Sequence, residues 1–331
     1  MRKMLALVVA LALVFGSNAG ALAADKQKLV VYTSMKESLI GKLRDAFVQK
    51  NPDIDFDYYS AGAGKLMAKL AAERESGTVV VDVLWTSEIP DFYQLKDQGM
   101  LEPYVSEESK NILSPVKDPE GYFTPARLGT LGISYNTKAI KEAPKSWQDL
   151  LDPRFKGAFG IANPALSGTA YVSIAMLVNT FGWDYITKLK ANGAKMGQGS
   201  GQVVDDTASG DLKACIGVDY ITTEKIQKGA TLGLAFPQEM LVIPSPVAII
   251  KTSKHVPAAK KFIDFLLSKE GQVIIASSGT LPIRQDVNPP DGFGLVHPDE
   301  AVKRAMKADY QQMIKEKEAT IQKFSEIMRG N

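Results

Sequence analysis

The sequence predicts an α/β protein built from two lobes that enclose a ligand cleft. In residues 28–86, three apolar strands alternate with two helices, which predicts a parallel sheet covered by helices. A second alternating region runs from residue 163 to residue 218, after an extended stretch at 122–136. The apolar stretch at 241–250 then predicts a strand that returns to the first lobe. The chain is long enough for two lobes.

The elements of the first lobe follow from the spacing of apolar residues. Leu39, Leu43 and Phe47 recur every four residues, which places them on one face of a helix. Asn51-Pro52 ends that helix, because proline cannot donate the hydrogen bond that a helix interior needs. The predicted strands are 28–33, 54–59 and 79–85, and the predicted helices are 39–49 and 65–75.

Loops rich in small residues precede two helices of the second lobe. One helix follows the loop at 163–169, and a short helix at 203–208 follows the loop at 197–201. Amphipathic spacing predicts a further helix at 256–268, and the last helix, long and charged, is predicted at 299–329. A helix near 183–191 and a strand at 214–218 complete the predicted elements.

The N-terminus has the features of a secretory signal peptide. A positively charged start precedes an almost purely apolar stretch at 5–15, and a small-x-small cleavage pattern follows at 21–23. The apolar stretch is shorter than the roughly 20 residues that span a bilayer. We therefore expect residues 1–24 to be a signal peptide cleaved near Ala23 or Ala24, and the mature protein to be soluble in the periplasm.

The composition argues against two classes of function. The chain has 39 Lys and Arg against 37 Asp and Glu, and removal of Arg2 and Lys3 with the signal peptide leaves a neutral protein. A neutral chain without a basic block argues against a nucleic-acid partner. The two histidines, His255 and His297, lack metal-ligand spacing, and no Gly-x-Ser-x-Gly motif surrounds Ser167. A secreted hydrolase therefore remains a remote alternative.

Polar residues follow each predicted strand of the first lobe. In open α/β sheets, ligands gather at the carboxyl ends of the strands. We therefore expect these residues to face the cleft. They are Thr33-Ser34, Ser60-Ala61-Gly62 and Thr86-Ser87-Glu88.

The segment around Ser167-Gly168-Thr169 is the strongest candidate for an anion site. It leads from a loop directly into a helix, whose first N–H groups have no partner within the helix. The hydroxyls of Ser167 and Thr169 add donors, and Gly168 permits close approach to the backbone. A phosphate, phosphonate or carboxylate fits such a site. The alternative is an ordinary Ser/Thr helix cap.

Several motifs occur in an order that is typical of one family. They lie at residues 31–34, 81–87, 144–157, 163–170 and 281–284, and the longest reads Pro-Lys-Ser-Trp-Gln-Asp-Leu-Leu-Asp-Pro-Arg-Phe-Lys-Gly. With this ordered set, the chain resembles the periplasmic solute-binding proteins of ABC importers, in the branch that includes ferric iron-binding and organophosphate-binding members. The resemblance covers nearly all of the mature chain.

The resemblance implies a type II periplasmic-binding-protein fold and a function in import. The implied division is 25–126 for the first part of lobe 1, 127–240 for lobe 2, 241–297 for the return to lobe 1 and 298–331 for a C-terminal helix packed on the lobes. The protein would capture a small anionic solute, phosphorylated or a phosphonate, without an enzymatic step or a cofactor. It would be a monomer and deliver the ligand to an ABC permease and ATPase, although a sensor partner stays open.

The resemblance also implies the residues of the binding site. The anion would bind Ser167, Gly168 and Thr169, with Ser200 as a further contact from lobe 2. The implied contacts from the first lobe are Thr33, Ser34, Ala61, Gly62, Ser87 and Glu88.

Three residues at the crossover and at a strand end have open roles. Arg127 either pairs bidentately with the anion or forms a salt bridge at the hinge. Asp219 would accept hydrogen bonds from an amine or hydroxyl of the ligand. Tyr220 either contacts the ligand or is a packed aromatic residue at the end of a strand.

Iron is the alternative ligand that the resemblance implies. Ferric members of the branch use two adjacent tyrosines, often with a histidine and a glutamate. Here Tyr220 follows Asp219 and precedes Ile221, and the early histidine position falls in a segment without histidine. No metal site is therefore expected. If iron binds, its ligands would be Tyr220, Asp219 and Glu88 with an exogenous anion.

Overall fold

The computed structural model describes residues 26–113 and 118–330, so the predicted signal peptide lies outside the described residues. The strands are β1 (Gln27–Thr33), β2 (Ile54–Ser60), β3 (Val83–Trp85), β4 (Leu101–Glu102), β5 (Thr124–Asn136), β6 (Phe159–Ala162), β7 (Lys195–Gly197), β8 (Ala214–Val218), β9 (Leu232–Ala235) and β10 (Leu241–Ile250). The helices are α1 (Glu37–Lys50), α2 (Ala63–Glu75), α3 (Ile89–Asp97), α4 (Gly168–Ala191), α5 (Ser200–Ser209), α6 (Asp219–Gln227), α7 (Val256–Leu267), α8 (Lys269–Ser277), α9 (Pro298–Arg304) and α10 (Tyr310–Arg329). Within the two described ranges, none of the helices combines the length and apolar character needed to cross a membrane.

The strands of the described residues join in one mixed sheet. The order along the sheet is β2-β1-β3-β10-β5-β8-β6-β7, while β4 pairs with β10 and β9 with β5. Strands β1, β2 and β3 are mutually parallel and, with α1 to α3, are here called the first half. Strands β6, β7 and β8 are also parallel and, with α4 to α6, are called the second half.

Two long antiparallel strands, β5 and β10, connect the halves. Their register runs from Leu241 opposite Leu131 to Val247 opposite Thr124, with an irregularity between Ser245 and Pro246. Strand β10 also pairs with β3, and β5 also pairs with β8, so the sheet continues from one half into the other. The lobe boundaries at 127 and 241 fall on these connecting strands, and the division into lobes remains a prediction.

The predicted elements agree with the structure in type and differ in extent. The helices predicted after residue 169 and at 183–191 form the single helix α4, which is interrupted by a non-helical conformation at Gly182. Strand β3 covers only Val83–Trp85 of the predicted 79–85. The last helix is divided into α9 and α10, because the chain between them becomes extended and the Met306 N–H donates to the carbonyl of Met240. Helix α10 packs on α3 and α4.

The core holds the helices against both faces of the sheet. Where α7 packs on the first half, Phe47 of α1, Phe56 of β2 and Phe262 of α7 pack edge to face, with ring centroids 4.9 to 5.8 Å apart. Such aromatic pairs add a geometric preference to the apolar area that they bury. The residues with helical spacing in the sequence, Leu39, Leu43 and Phe47, are all fully buried, so the periodicity correctly marks the core face of α1.

Candidate functional site

A cavity of about 420 Å³ lies where the two halves face each other. Its walls come from the carboxyl ends of parallel strands in both halves, as expected for an open α/β sheet. Most of the residues implied by the resemblance line it. From the first half these are Ser34, Ala61, Gly62 and Ser87, from the second half Ser167, Gly168, Thr169, Ser200 and Tyr220, and from the connecting strand β5 Arg127.

Three hydroxyls form a triangle in one wall of the cavity. The Ser167 and Thr169 oxygens are 3.0 Å apart, and both contact the hydroxyl of Ser200, at 2.9 and 3.1 Å. Ser167 precedes α4, and Ser200 is the first residue of α5, so the N-termini of two helices converge here. Free N–H groups and the helix dipoles favour an anion at such a place.

The segments on either side of the cavity mouth are already in contact. A Cβ atom at Gly62 would lie 2.4 Å from the carbonyl oxygen of Leu166, and one at Gly64 would lie 2.7 Å from that of Ala165. No side chain fits at these two distances without displacement of the backbone. Gly62, which precedes α2, and Gly64, in its first turn, therefore permit the close approach of the loop before α4, which encloses the cavity.

Arg127 is buried beneath the cavity in a dense polar network. Its Nη1 donates to Thr280 at 2.5 Å and lies 3.4 Å from Asp219, and its Nε donates to Ser245 at 3.2 Å. The guanidinium stacks 4.8 Å from the centroid of the Tyr220 ring. Of the two roles left open by the sequence, the structure shows the salt bridge, with Asp219. Arg127 also lines the cavity, and its pairing with an anion stays a prediction.

Both carboxylate oxygens of Asp219 are hydrogen-bonded within the same network. One carboxylate oxygen accepts from the Thr130 N–H and hydroxyl, each at 2.9 Å, and from Thr280 at 2.6 Å. The other accepts from the N–H of Tyr220 at 2.7 Å. Asp219 is fully buried and does not line the cavity, which differs from the expected contact with an amine or hydroxyl of the ligand.

Glu88 also lies outside the cavity wall, contrary to the expectation. It forms a buried cluster with Asp91 of α3 and Lys317 of α10, in which the Lys317 ammonium is 2.7 Å from Asp91 and in direct contact with Glu88. Burial, followed by repulsion from Asp91, raises the pKa of Glu88 to about 7 despite the nearby lysine. This set is called the rear cluster below.

Thr33 is the third expected contact that does not reach the cavity. It is fully buried, and its hydroxyl accepts from the Met35 N–H at 3.1 Å. Its neighbour Ser34 lines the cavity instead, and the Ser34 hydroxyl has no hydrogen-bond partner among the described residues. Successive residues at a strand end point in opposite directions, which explains why only one of the pair faces the ligand space.

Tyr220 lines the cavity and connects the two halves. Its hydroxyl accepts from the N–H of Lys36 at 3.2 Å, a bond from α6 to the loop before α1. Burial raises the pKa of the Tyr220 phenol, although Arg127 opposes the shift. The described residues contain no group of three or more His, Cys, Asp and Glu side chains able to hold a metal ion.

Several residues that line the cavity were not predicted from the sequence as ligand contacts. They are Lys36, Tyr59, Lys65, Gln198 and Gln202. Each lies within three residues of a residue that was predicted to contact the ligand. The positions of the strand ends therefore predicted the correct loops, but not every side chain in them that lines the cavity. The lysines are exposed residues that no periodicity distinguishes from other surface lysines.

A cavity lined from two sides is the arrangement expected of a solute-binding protein, and the comparisons with known proteins agree. Residues 80–305 match the family of bacterial extracellular solute-binding proteins, and the chain belongs to that family. The predicted resemblance and the type II periplasmic-binding-protein fold are thereby confirmed.

Individual relatives differ in the ligands that their names give. The chain is 27% identical over 259 residues to a Salmonella typhi protein provisionally named a 2-aminoethylphosphonate-binding periplasmic protein, covering 75% of this chain and 74% of that protein. It is 25% identical to AfuA of Actinobacillus pleuropneumoniae, solved with fructose-6-phosphate bound, with a TM-score of 0.79 over 91% of this chain and 98% of AfuA. It is also 25% identical to iron-bound HitA of Pseudomonas aeruginosa, with a TM-score of 0.76 over 91% and 99%.

Proposed function

We propose that the mature protein is the periplasmic substrate-binding component of an ABC importer and captures a small phosphorylated or phosphonate anion. The observation that carries this proposal is the hydroxyl triangle of Ser167, Thr169 and Ser200 at two converging helix N-termini. Because a phosphoryl group offers several acceptor oxygens, it matches a cluster of neutral donors better than a carboxylate does. Lys36 and Lys65 supply positive charge nearby.

The two-sided site fits capture and release. Each half supplies only part of the contacts, so binding depends on closure of the halves around the ligand. The proposed partners are the ABC permease and ATPase that receive the ligand. The proposal includes no enzymatic step, no cofactor and no nucleic acid, and it expects a monomer in the periplasm.

Ferric iron is less well supported by the same geometry. Of the three ligands suggested for iron, only Tyr220 lines the cavity, while Asp219 and Glu88 are engaged in buried networks. A hard cation such as Fe(III) requires anionic oxygen ligands, whereas burial raises the pKa of the Tyr220 phenol.

A thermal-shift panel on ligand-stripped mature protein tests this proposal. The panel contains fructose 6-phosphate, 2-aminoethylphosphonate, inorganic phosphate and ferric citrate. A ligand at 100 times its dissociation constant should stabilise the folded state by about 2.7 kcal/mol. We expect stabilisation by at least one organophosphate or phosphonate. A shift with ferric citrate alone, together with a visible tyrosinate-to-iron absorption band, would refute the proposal in favour of an iron carrier.

A further inference from the structure

We propose that the ligand's second end, opposite its phosphoryl group, is anionic and carries no ammonium group. This inference rests on the proposed function and narrows its substrate class to small organic phosphates or phosphonates with a second acidic group. It thereby separates this protein from a carrier of aminoalkylphosphonates.

The charged residues that line the cavity are all of one sign. Among the described lining residues, Lys36, Lys65 and Arg127 are cationic and none is Asp or Glu. The Arg127 charge is compensated by Asp219. Lys36 and Lys65 remain, and neither forms an ion pair with another described residue. With the positive ends of α4 and α5, they provide more charge than one phosphoryl group alone balances.

An ammonium group would find no carboxylate partner in this cavity. Burying an unpaired charge is costly, because the desolvation energy is not recovered. The aromatic rings that line the cavity offer no substitute, since each already faces a cation. The Lys69 ammonium lies 5.8 Å from the Tyr59 ring centroid, and the Arg127 guanidinium lies 4.8 Å from that of Tyr220.

Carboxylates do line a pocket that adjoins the cavity and shares Lys36 with it, but two of them are already paired. Asp205 is 2.5 Å from the Lys225 ammonium. Glu224 is 2.5 Å from Lys228 and accepts from the Ser38 hydroxyl at 2.9 Å. Glu37 is the third carboxylate of that pocket, and Lys36 precedes it in the chain. An ammonium at this place would face the Lys36 charge.

Three phosphonates that differ only at the far end test the inference by calorimetric titration. They are 3-phosphonopropionate with a carboxylate, propylphosphonate with a methyl group and 2-aminoethylphosphonate with an ammonium. We expect 3-phosphonopropionate to bind tightest and 2-aminoethylphosphonate weakest. The gap between the carboxylate and the methyl compound should be about tenfold or more, the order of one charge-assisted hydrogen bond.

Variants test whether Lys36 and Lys65 cause the difference in affinity between 3-phosphonopropionate and propylphosphonate. The double variant Lys36→Gln/Lys65→Gln should lose the preference for 3-phosphonopropionate and keep its affinity for propylphosphonate within a few-fold. Lys42→Gln, at an exposed position of α1 that does not line the cavity, should retain the wild-type order.

The outcomes separate this inference from the proposed function. Tightest binding of 2-aminoethylphosphonate, particularly if Glu37→Gln abolishes it, would overturn the inference and leave an organophosphate carrier. Unchanged ligand preference in the double lysine variant would also overturn it. Failure of every phosphonate and of fructose 6-phosphate to bind would refute the proposed function itself.

Discussion

The cavity and the rear cluster lie on opposite sides of the N-terminus of α4, and they differ in how their charged groups are compensated. In the cavity, Lys36 and Lys65 have no carboxylate among the described lining residues to pair with. In the rear cluster, Glu88 and Asp91 are almost completely buried and share the single ammonium of Lys317. A Cβ atom at Gly168 would lie 2.7 Å from the Glu88 carboxylate, so only the first residue of α4 separates the two regions.

The difference shows how one helix terminus can serve binding and stability together. On the cavity side, cations without a carboxylate partner are stable because solvent or a ligand compensates them. On the rear side, water has little access, so the charges must compensate each other within the protein. The comparison predicts that changes in the rear cluster alter folding, whereas changes in the hydroxyl triangle alter binding.

The largest effect is expected for Lys317→Met. The substitution leaves Glu88 and Asp91 buried without their cation, which should cost about 3–5 kcal/mol of unfolding free energy at pH 8. Chemical denaturation of the ligand-free protein measures the loss. Lys315→Met, at an exposed position of the same helix, should change stability little. Equal stability of the two variants would contradict a structural role for the rear cluster.

The second prediction concerns Ser167→Ala/Thr169→Ala. Loss of two hydroxyl donors to an anion should weaken binding by roughly a hundredfold, about 3 kcal/mol. The ligand-free variant should lose only about 1 kcal/mol of stability, because Ser167 also accepts from the Ala170 N–H as an N-cap. Ser268→Ala removes a comparable cap from α8, far from the cavity, and should leave affinity unchanged. Wild-type affinity in the double variant would exclude the hydroxyl triangle as the anion site.

The third prediction concerns the pH dependence of stability. Because the Glu88 pKa is raised from 4.5 to about 7, the folded protein binds this proton more tightly than the unfolded chain does. The stability contributed by Glu88 is therefore greatest at acidic pH and falls as the pH rises from 4.5 to 7. The melting temperature of Glu88→Gln, relative to the wild type, should rise between pH 5 and pH 8. With Glu75→Gln, an exposed control, the difference should stay constant, and a flat profile for both variants would contradict the raised pKa.

The sequence predicts the strand-end loops well because two local features determine them: the alternation of strands and helices, and the position at which each strand ends. Alternating strands and helices define a parallel sheet, and the carboxyl ends of its strands are the binding edge. Ser34, Gly62 and Ser87 in the first half and Ser167 and Ser200 in the second line the cavity for this reason. The helices were also predicted from a local signal, the spacing of apolar residues. The break between α9 and α10 was not, because it depends on a contact with Met240, which is distant in the sequence.

The sequence by itself determined the class of fold, the edge of the sheet that binds and the small hydroxyl residues placed there. Only the tertiary structure decided which charged groups face the cavity. Asp91 meets Lys317 across 226 residues, and Asp219 meets Arg127 across 92. Local patterns contain no information on such pairings. The electrostatic character of the cavity depends on them, because each carboxylate paired inside the protein is withdrawn from the ligand.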